Sequence, residues 1–187
     1  MKSPLVRLSL FILISLSLLL LNSCGEEDCP NSQHLMEELY AVYSSGSGFE
    51  DEVSYDSETH EYSFILSRDV RLCGIGYQSQ PEIKSYDIQI VDDQNTIVLD
   101  EQLSFSSDNT EYQAVASVML DAGREYTIRR TCNAYNSISD VIGRVLRIPN
   151  GITLPVINGD LTITKVNFYG NGNPPSNAIP FIDLAVE

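Results

Sequence analysis

Apolar positions along the chain fall into two regimes. From Leu8 to Leu21 they run together for 14 residues, broken only by serines. That length suits a secretory core and falls short of the ~20 residues a spanning helix needs. Further on, apolar residues recur at fixed periods instead. Leu35, Met36, Leu39, Tyr40 and Tyr43 are spaced for one face of a short helix over His34–Ser44. Ser45-Gly46-Ser47-Gly48 ends it. Phe49 to His60 is acidic and loop-like, with a short strand around Val53.

Beyond His60 the period shortens to two. Tyr62, Phe64 and Leu66 alternate with polar neighbours and predict a half-buried strand. Val70–Ser79 predicts another, with Cys73, Ile75 and Tyr77 on one face. Gly74 and Gly76 leave the backbone of its other face bare for a close neighbour. Tyr86, Ile88 and Ile90 mark a third strand, turned by Asp92-Asp93-Gln94-Asn95 into Thr96–Leu99 as a hairpin. Leu103–Ser106, Tyr112–Leu120, Arg124–Thr131, Val141–Ile148, Leu161–Phe168 and Phe181–Val186 continue the series. About ten short strands without βα alternation predict an all-β fold, a β-sandwich of jelly-roll type with one short N-terminal helix.

The head of the chain predicts a location. Lys2 and Arg7 precede the apolar run, and Leu21-Asn22-Ser23-Cys24 closes it. These four residues resemble a bacterial lipobox, which implies cleavage before Cys24 and acylation of its thiol. Acyl chains at ~0.8 kcal/mol per buried CH₂ make such an anchor effectively permanent. Gly25-Glu26-Glu27-Asp28 would be repelled by anionic headgroups, so the chain leaves the membrane there. The run also resembles the acidic surface-export signal of lipoproteins of the Bacteroidota; a plain acidic tether is the alternative. The expected organisation is a signal peptide over 1–23, an acidic tether with the short helix over 24–59, and a sandwich domain over 60–187. The expected location is the outer membrane, lipid-anchored and surface-exposed.

Charge narrows the partners. The chain of 187 residues carries 11 basic and 26 acidic side chains, for a net charge of −15. Residues 1–23 hold two of the basic ones and no acid, which leaves nine against 26, or −17. That balance excludes a nucleic-acid partner, because phosphate contacts need a basic face. With Cys24 acylated, Cys29, Cys73 and Cys132 remain. Export permits disulfides, and Cys73–Cys132 is the preferred pair because both lie in or beside strands. Closing that loop would contribute on the order of 4 kcal/mol. Two buried thiols are the alternative.

No catalytic signature is present. His34 and His60 lack metal-ligand spacing, and there is no GxSxG, P-loop or Cys-x-x-Cys. Glu50, Asp51, Glu52, Asp56 and Glu58 form one acidic cluster, and Asp92, Asp93 and Asn95 another. Either offers oxygen ligands to Ca²⁺ without EF-hand spacing; a solvated loop and a hairpin turn are the plainer readings. No other cofactor is expected. Arg124, Arg129, Arg130, Arg144 and Arg147 fall within 24 positions, with Tyr126 and Tyr135 interleaved. Alternation places Arg124, Tyr126, Ile128 and Arg130 on one face and Arg129 on the other. An arginine fork beside an aromatic can hold a carboxylate or an acidic sugar, unless the arginines pair with acids on neighbouring strands. Asn167-Phe168-Tyr169-Gly170-Asn171-Gly172-Asn173-Pro174-Pro175 reads as a Gly-rich loop whose amides and rings suit sugars. The candidate ligand-binding residues are therefore Arg124, Tyr126, Arg130, Tyr169 and Asn171.

Two segments carry a resemblance over about residues 60–187. Asp69–Gln80 leads into Tyr86-Asp87-Ile88, and Leu120-Asp121-Ala122-Gly123-Arg124-Glu125-Tyr126 opens a later strand. Together with Ile142-Gly143-Arg144 and the late Phe168–Gly172 stretch, they resemble a β-sandwich domain of unknown function, in the form of a small Bacteroidota surface lipoprotein. The resemblance implies an adhesion or recognition role and no catalytic residues. The resulting expectation is a non-enzymatic module, held to the membrane by lipid, that binds a polysaccharide or a surface protein. A structural or accessory subunit of an outer-membrane complex is the second expectation. A hydrolase built on a carboxylate pair is the third.

Overall fold

The computed structural model describes residues 31–45, 48–55, 57–80, 84–106, 108–132, 142–147, 151, 153–172 and 177–187. Residues 1–30, expected to hold the signal segment and including Cys24 and Cys29, and Asp56, Tyr135 and residues 173–175 lie outside them.

The protein is an antiparallel β-sandwich with one short helix. Its strands are β1 (Gln33–His34), β2 (Glu50–Tyr55), β3 (Ser57–Leu66), β4 (Val70–Tyr77), β5 (Ser79–Gln80), β6 (Lys84–Asp92), β7 (Ile97–Phe105), β8 (Glu111–Leu120), β9 (Glu125–Cys132), β10 (Ile142–Arg147), β11 (Val156–Asn158), β12 (Leu161–Gly172), β13 (Ala178–Pro180) and β14 (Asp183–Val186). A six-stranded sheet runs β11-β12-β3-β9-β6-β7, and a four-stranded sheet runs β1-β14-β4-β8. A smaller sheet runs β13-β10-β2, with β5 also on β10.

The alternation read from the sequence explains the core. Tyr62, Phe64 and Leu66 of β3, Tyr86, Ile88 and Ile90 of β6, and Tyr126 and Ile128 of β9 point inward from the six-stranded sheet. Val70, Leu72, Ile75 and Tyr77 of β4 meet them from the other layer, and the Tyr77 and Tyr86 rings touch edge-on at 5.1 Å. Thr96–Leu99 and Leu103–Ser106, expected as two strands, are one strand, β7. Its inward Leu99, Leu103 and Phe105 keep period two, while Asp100, Gln102 and Ser104 face out. The hairpin at Asp92 forms as expected: one carboxylate oxygen accepts from the Gln94 and Thr96 amides at 2.9 and 2.8 Å.

The helix α1 (Leu35–Ser44) is not a surface feature of a tether. Leu35, Met36, Leu39 and Tyr40 are buried, each contributing about 2 kcal/mol by area removed from water. The Tyr40 hydroxyl donates to the Ile179 carbonyl and accepts from the Leu146 amide, tying the helix to β13 and β10. β1 immediately before it pairs with β14, so the packed domain includes residues from Gln33 onward. The acidic stretch around Val53 is β2, which holds its charge against β10 through Asp51–Arg144 and Glu52–Arg147 pairs.

Cys132 is a free thiol, buried on the core side of β9 in register with Tyr86, so the expected Cys73–Cys132 bridge is not formed. The register shift between Leu72 and Gly74 turns Cys73 away from the core, where it lines a depression with Gly74, Tyr112 and Ala185. Cys73 is disulfide-bonded.

Candidate ligand-binding site

Residues of the opposite parity on the six-stranded sheet face away from the core. The ladder places them in two complete rows. One row is Tyr169 (β12), Thr59 (β3), Thr131 (β9), Asp87 (β6) and Gln102 (β7). The next is Asn167, Glu61, Arg129, Gln89 and Asp100 on the same strands. With strands ~4.8 Å apart, each row of five spans about 19 Å. All ten side chains are polar or phenolic.

A depression of about 410 Å³ opens over these rows. Tyr169 stands at one end, 39% exposed. Asp87, Gln89 and Asp100 stand at the other, with Thr59, Thr131 and Arg129 between. The Thr59 and Thr131 hydroxyls satisfy each other at 3.2 Å. The Tyr169 hydroxyl donates to Glu61 at 3.2 Å, and burial together with the Glu61 charge pushes the phenol above its ordinary value. Its ring face stays available.

The remaining groups hold unused hydrogen-bonding capacity. Arg129 Nε lies 3.3 Å from Glu61 as an ion pair, without hydrogen-bond geometry. Its two terminal nitrogens make no hydrogen bond among the described residues. Asp87 takes one long contact, from Gln102 Nε2 at 3.3 Å. The side chains of Gln89 and Asp100 make no hydrogen bond among the described residues. A guanidinium, an amide and two carboxylates thus share one open face with an exposed aromatic ring. Such a set donates to and accepts from hydroxyl groups at once.

Of the five residues expected to bind ligand, only Tyr169 belongs to this site. Asn171 is on the extended end of β12, which continues to Gly172 where a loop was expected. Its backbone amide and side-chain amide both donate to Glu58 at 3.1 Å. Arg124 pairs with Asp92 at 2.6 Å and Asp93 at 3.0 Å across the hairpin. Tyr126 is a core plug, its hydroxyl accepting from the Asp121 amide at 2.9 Å over the Gly123 turn.

Arg130 is fully buried on the core side of β9. Its guanidinium packs against both the Tyr77 and Tyr86 rings, at 5.1 and 5.0 Å from their centroids. Nη2 sits 2.9 Å from each ring nitrogen of His60, and Nη1 donates to the Glu58 carbonyl at 3.2 Å. Burial and the Arg130 charge hold the His60 imidazolium well below its ordinary range, so His60 is neutral and accepts. Tyr126 and Arg130 are thus buried and line none of the depressions described among these residues.

The other arginines of the stretch are held in ion pairs. Arg144 forms a bidentate fork to Asp51 at 2.9 and 2.6 Å, reaches Glu37 at 2.6 Å, and lies 4.3 Å over the Phe181 ring. Arg147 pairs with Glu52. Of the two acidic clusters considered for Ca²⁺, Asp51 and Glu52 are engaged in these pairs, Glu58 accepts from Asn171, and Asp92 and Asp93 hold Arg124 across the hairpin. No group of three or more His, Cys, Asp or Glu side chains among the described residues is placed to hold a metal ion.

The residues missed by sequence reading are Arg129, Asp87, Gln89, Asp100 and their threonine floor. Strand parity already set Arg129 on the face opposite Arg130. What parity lacked was the insertion of β9 between β3 and β6, which brings Glu61, Arg129 and Gln89 into one row.

Comparison with protein-family models gives no match, and comparison with curated proteins gives none. The functional reading rests on the geometry.

Proposed function

We propose that the protein is a lipid-anchored, non-enzymatic recognition module of the bacterial outer surface, and that the outer face of its six-stranded sheet binds glycan. The observation that carries this reading is the pair of polar rows beside the exposed Tyr169 ring, with the Arg129, Gln89, Asp87 and Asp100 groups open. A polar face of this kind suits hydroxyls better than a protein partner, whose contact would centre on an apolar cluster. Asp87 and Asp100 rise from adjacent strands of one sheet and flank no bond from opposite sides, which supports binding over hydrolysis.

The membrane part of the reading rests on the lipobox-like Leu21-Asn22-Ser23-Cys24 and the acidic run after it. Growth with a clickable palmitate analogue should label the wild-type chain and leave Cys24→Ala unlabelled. Protease treatment of intact cells then separates outward from inward display. For the ligand, the full-length chain in detergent should bind members of a polysaccharide panel, and Tyr169→Ala should weaken binding by about tenfold or more. Silence across the panel by a folded chain would sink the glycan reading and favour a subunit of an outer-membrane complex, to be traced by cross-linking on cells.

A further inference from the structure

Resting on that reading of the sheet face, we propose that the ligand is an uncharged polysaccharide lying across the strands, and that anionic chains are rejected. The argument is local charge. The two rows carry Glu61, Asp87 and Asp100 against Arg129 alone, and Glu61 already neutralises Arg129 in part at 3.3 Å. In the neighbouring row Lys165 is held by Glu125 at 2.8 Å, so it brings no spare positive charge. A uronate or sulfate entering here meets two carboxylates that no cation among the described residues offsets, Asp87 and Asp100, on a chain of net charge −15. Repulsion at such distances costs more on a partly enclosed face than in free water.

Neutral vicinal hydroxyls meet the opposite situation. Asp87 and Asp100 accept from them, while the Arg129 terminal nitrogens and the Gln89 amide donate. Carboxylate-to-hydroxyl contacts are charge-assisted and need no counter-ion on the ligand. Tyr169, at the far end of the row, offers a ring face to the apolar side of a sugar. Because aromatic and carboxylates are separated by about 19 Å at most, the site reads several linked sugars and a single monosaccharide spans only part of it. The other arginines of the basic stretch, which an acidic sugar would need, are held away from this face: Arg124, Arg144 and Arg147 in ion pairs and Arg130 in the core.

The test uses the full-length chain in detergent and soluble glucan, mannan, galactan and xylan, with the carboxymethylated form of whichever binds. The expected result is binding of a neutral polymer, about tenfold or more weaker for its carboxymethylated form. That binding should change little between about 0.05 and about 0.5 M salt. Asp100→Asn and Arg129→Gln should each weaken it about tenfold, with the thermal transition unchanged. Tighter binding to the carboxymethylated form, lost with salt, would overturn the proposed class while leaving the site. Binding of a neutral polymer that ignores Tyr169→Ala, Arg129→Gln and Asp100→Asn would overturn the placement. No binding of any polymer by a folded chain would overturn both this inference and the glycan reading beneath it.

Discussion

The hydroxyl of Tyr112 donates to the buried carboxylate of Asp183 at 2.6 Å, across an intervening strand. Tyr112 lies on β8 and Asp183 on β14, and both are in register with Gly76 of β4 between them. The phenol ring occupies the space a side chain at position 76 would need: a Cβ there would lie 2.8 and 2.9 Å from ring carbons. The other oxygen of Asp183 accepts from the amide of Met36 at 2.6 Å, capping α1 from the far end of the chain. His34 stacks on Tyr112 at 4.2 Å and closes the group.

Gly76→Ala should therefore act through Tyr112. The added methyl displaces the ring, so overpacking and the lost hydrogen bond combine to about 2–4 kcal/mol. Tyr112→Phe keeps the ring and loses the donor, at about 1–2 kcal/mol. Urea unfolding measures both. Equal losses for the two variants would show that the close approach over Gly76 contributes nothing.

Stability should carry two opposed acid titrations. Burial pushes Asp183 up to about 6, against the lowering by Tyr112, Met36, His34 and Leu184. A raised carboxyl favours the folded state fully below its ordinary 3.8, and that contribution is lost as pH rises towards about 6. His60 is depressed, so its contribution is present above its ordinary 6.5 and is lost as pH falls. Asp183→Asn should make the loss of stability on acidification steeper than in the wild type. His60→Gln should make it shallower. Denaturation midpoints between about pH 4 and about pH 7 check both signs; identical slopes in all three proteins would defeat the assignment.

Arg130 should be structural. Arg130→Met removes the donor to Glu58 and His60 and the cation packed against two rings, at about 2–4 kcal/mol. Arg130→Lys should recover little, because an ammonium lacks the planar fork that packs on the Tyr77 and Tyr86 rings while reaching Glu58 and His60. In Arg130→Met the His60 titration should move up, since one of its two depressing causes is gone. Histidine NMR in a folded sample reads that shift. A ligand-binding defect without any loss of stability would contradict this role.

The thiols should differ in chemistry. Cys132 is 1% exposed, so it should resist alkylation in the native protein and react once the chain is unfolded, with no reductant present. Cys73 should react only after reduction. Mass mapping of the two peptides decides the matter. Labelling of Cys73 in denaturant alone would remove the disulfide.

The pattern of side chains by itself determined the secondary structure well, because period two and period 3.6 are local properties of a strand and a helix. Tyr62, Phe64 and Leu66 face the core as their alternation required, and Leu35 to Tyr40 form the helix their spacing required. The bare backbone at Gly76 was legible too, as a place where something packs closely. The pattern also set Arg130 on the same face as Tyr126 and Ile128. An arginine between such neighbours was taken as a surface group, since the rings that shelter it come from β4 and β6, far away in the chain. Tertiary structure alone decided strand order, and strand order made the site. Glu61, Arg129, Gln89 and Asp100 meet only because β9 lies between β3 and β6 with β7 beyond. Cys73 and Cys132 stay apart for the same reason: one faces out from the four-stranded sheet and the other into the core from the six-stranded one. Parity along a strand is written in the sequence, whereas neighbours across a sheet follow from which distant segments bury the most apolar surface together.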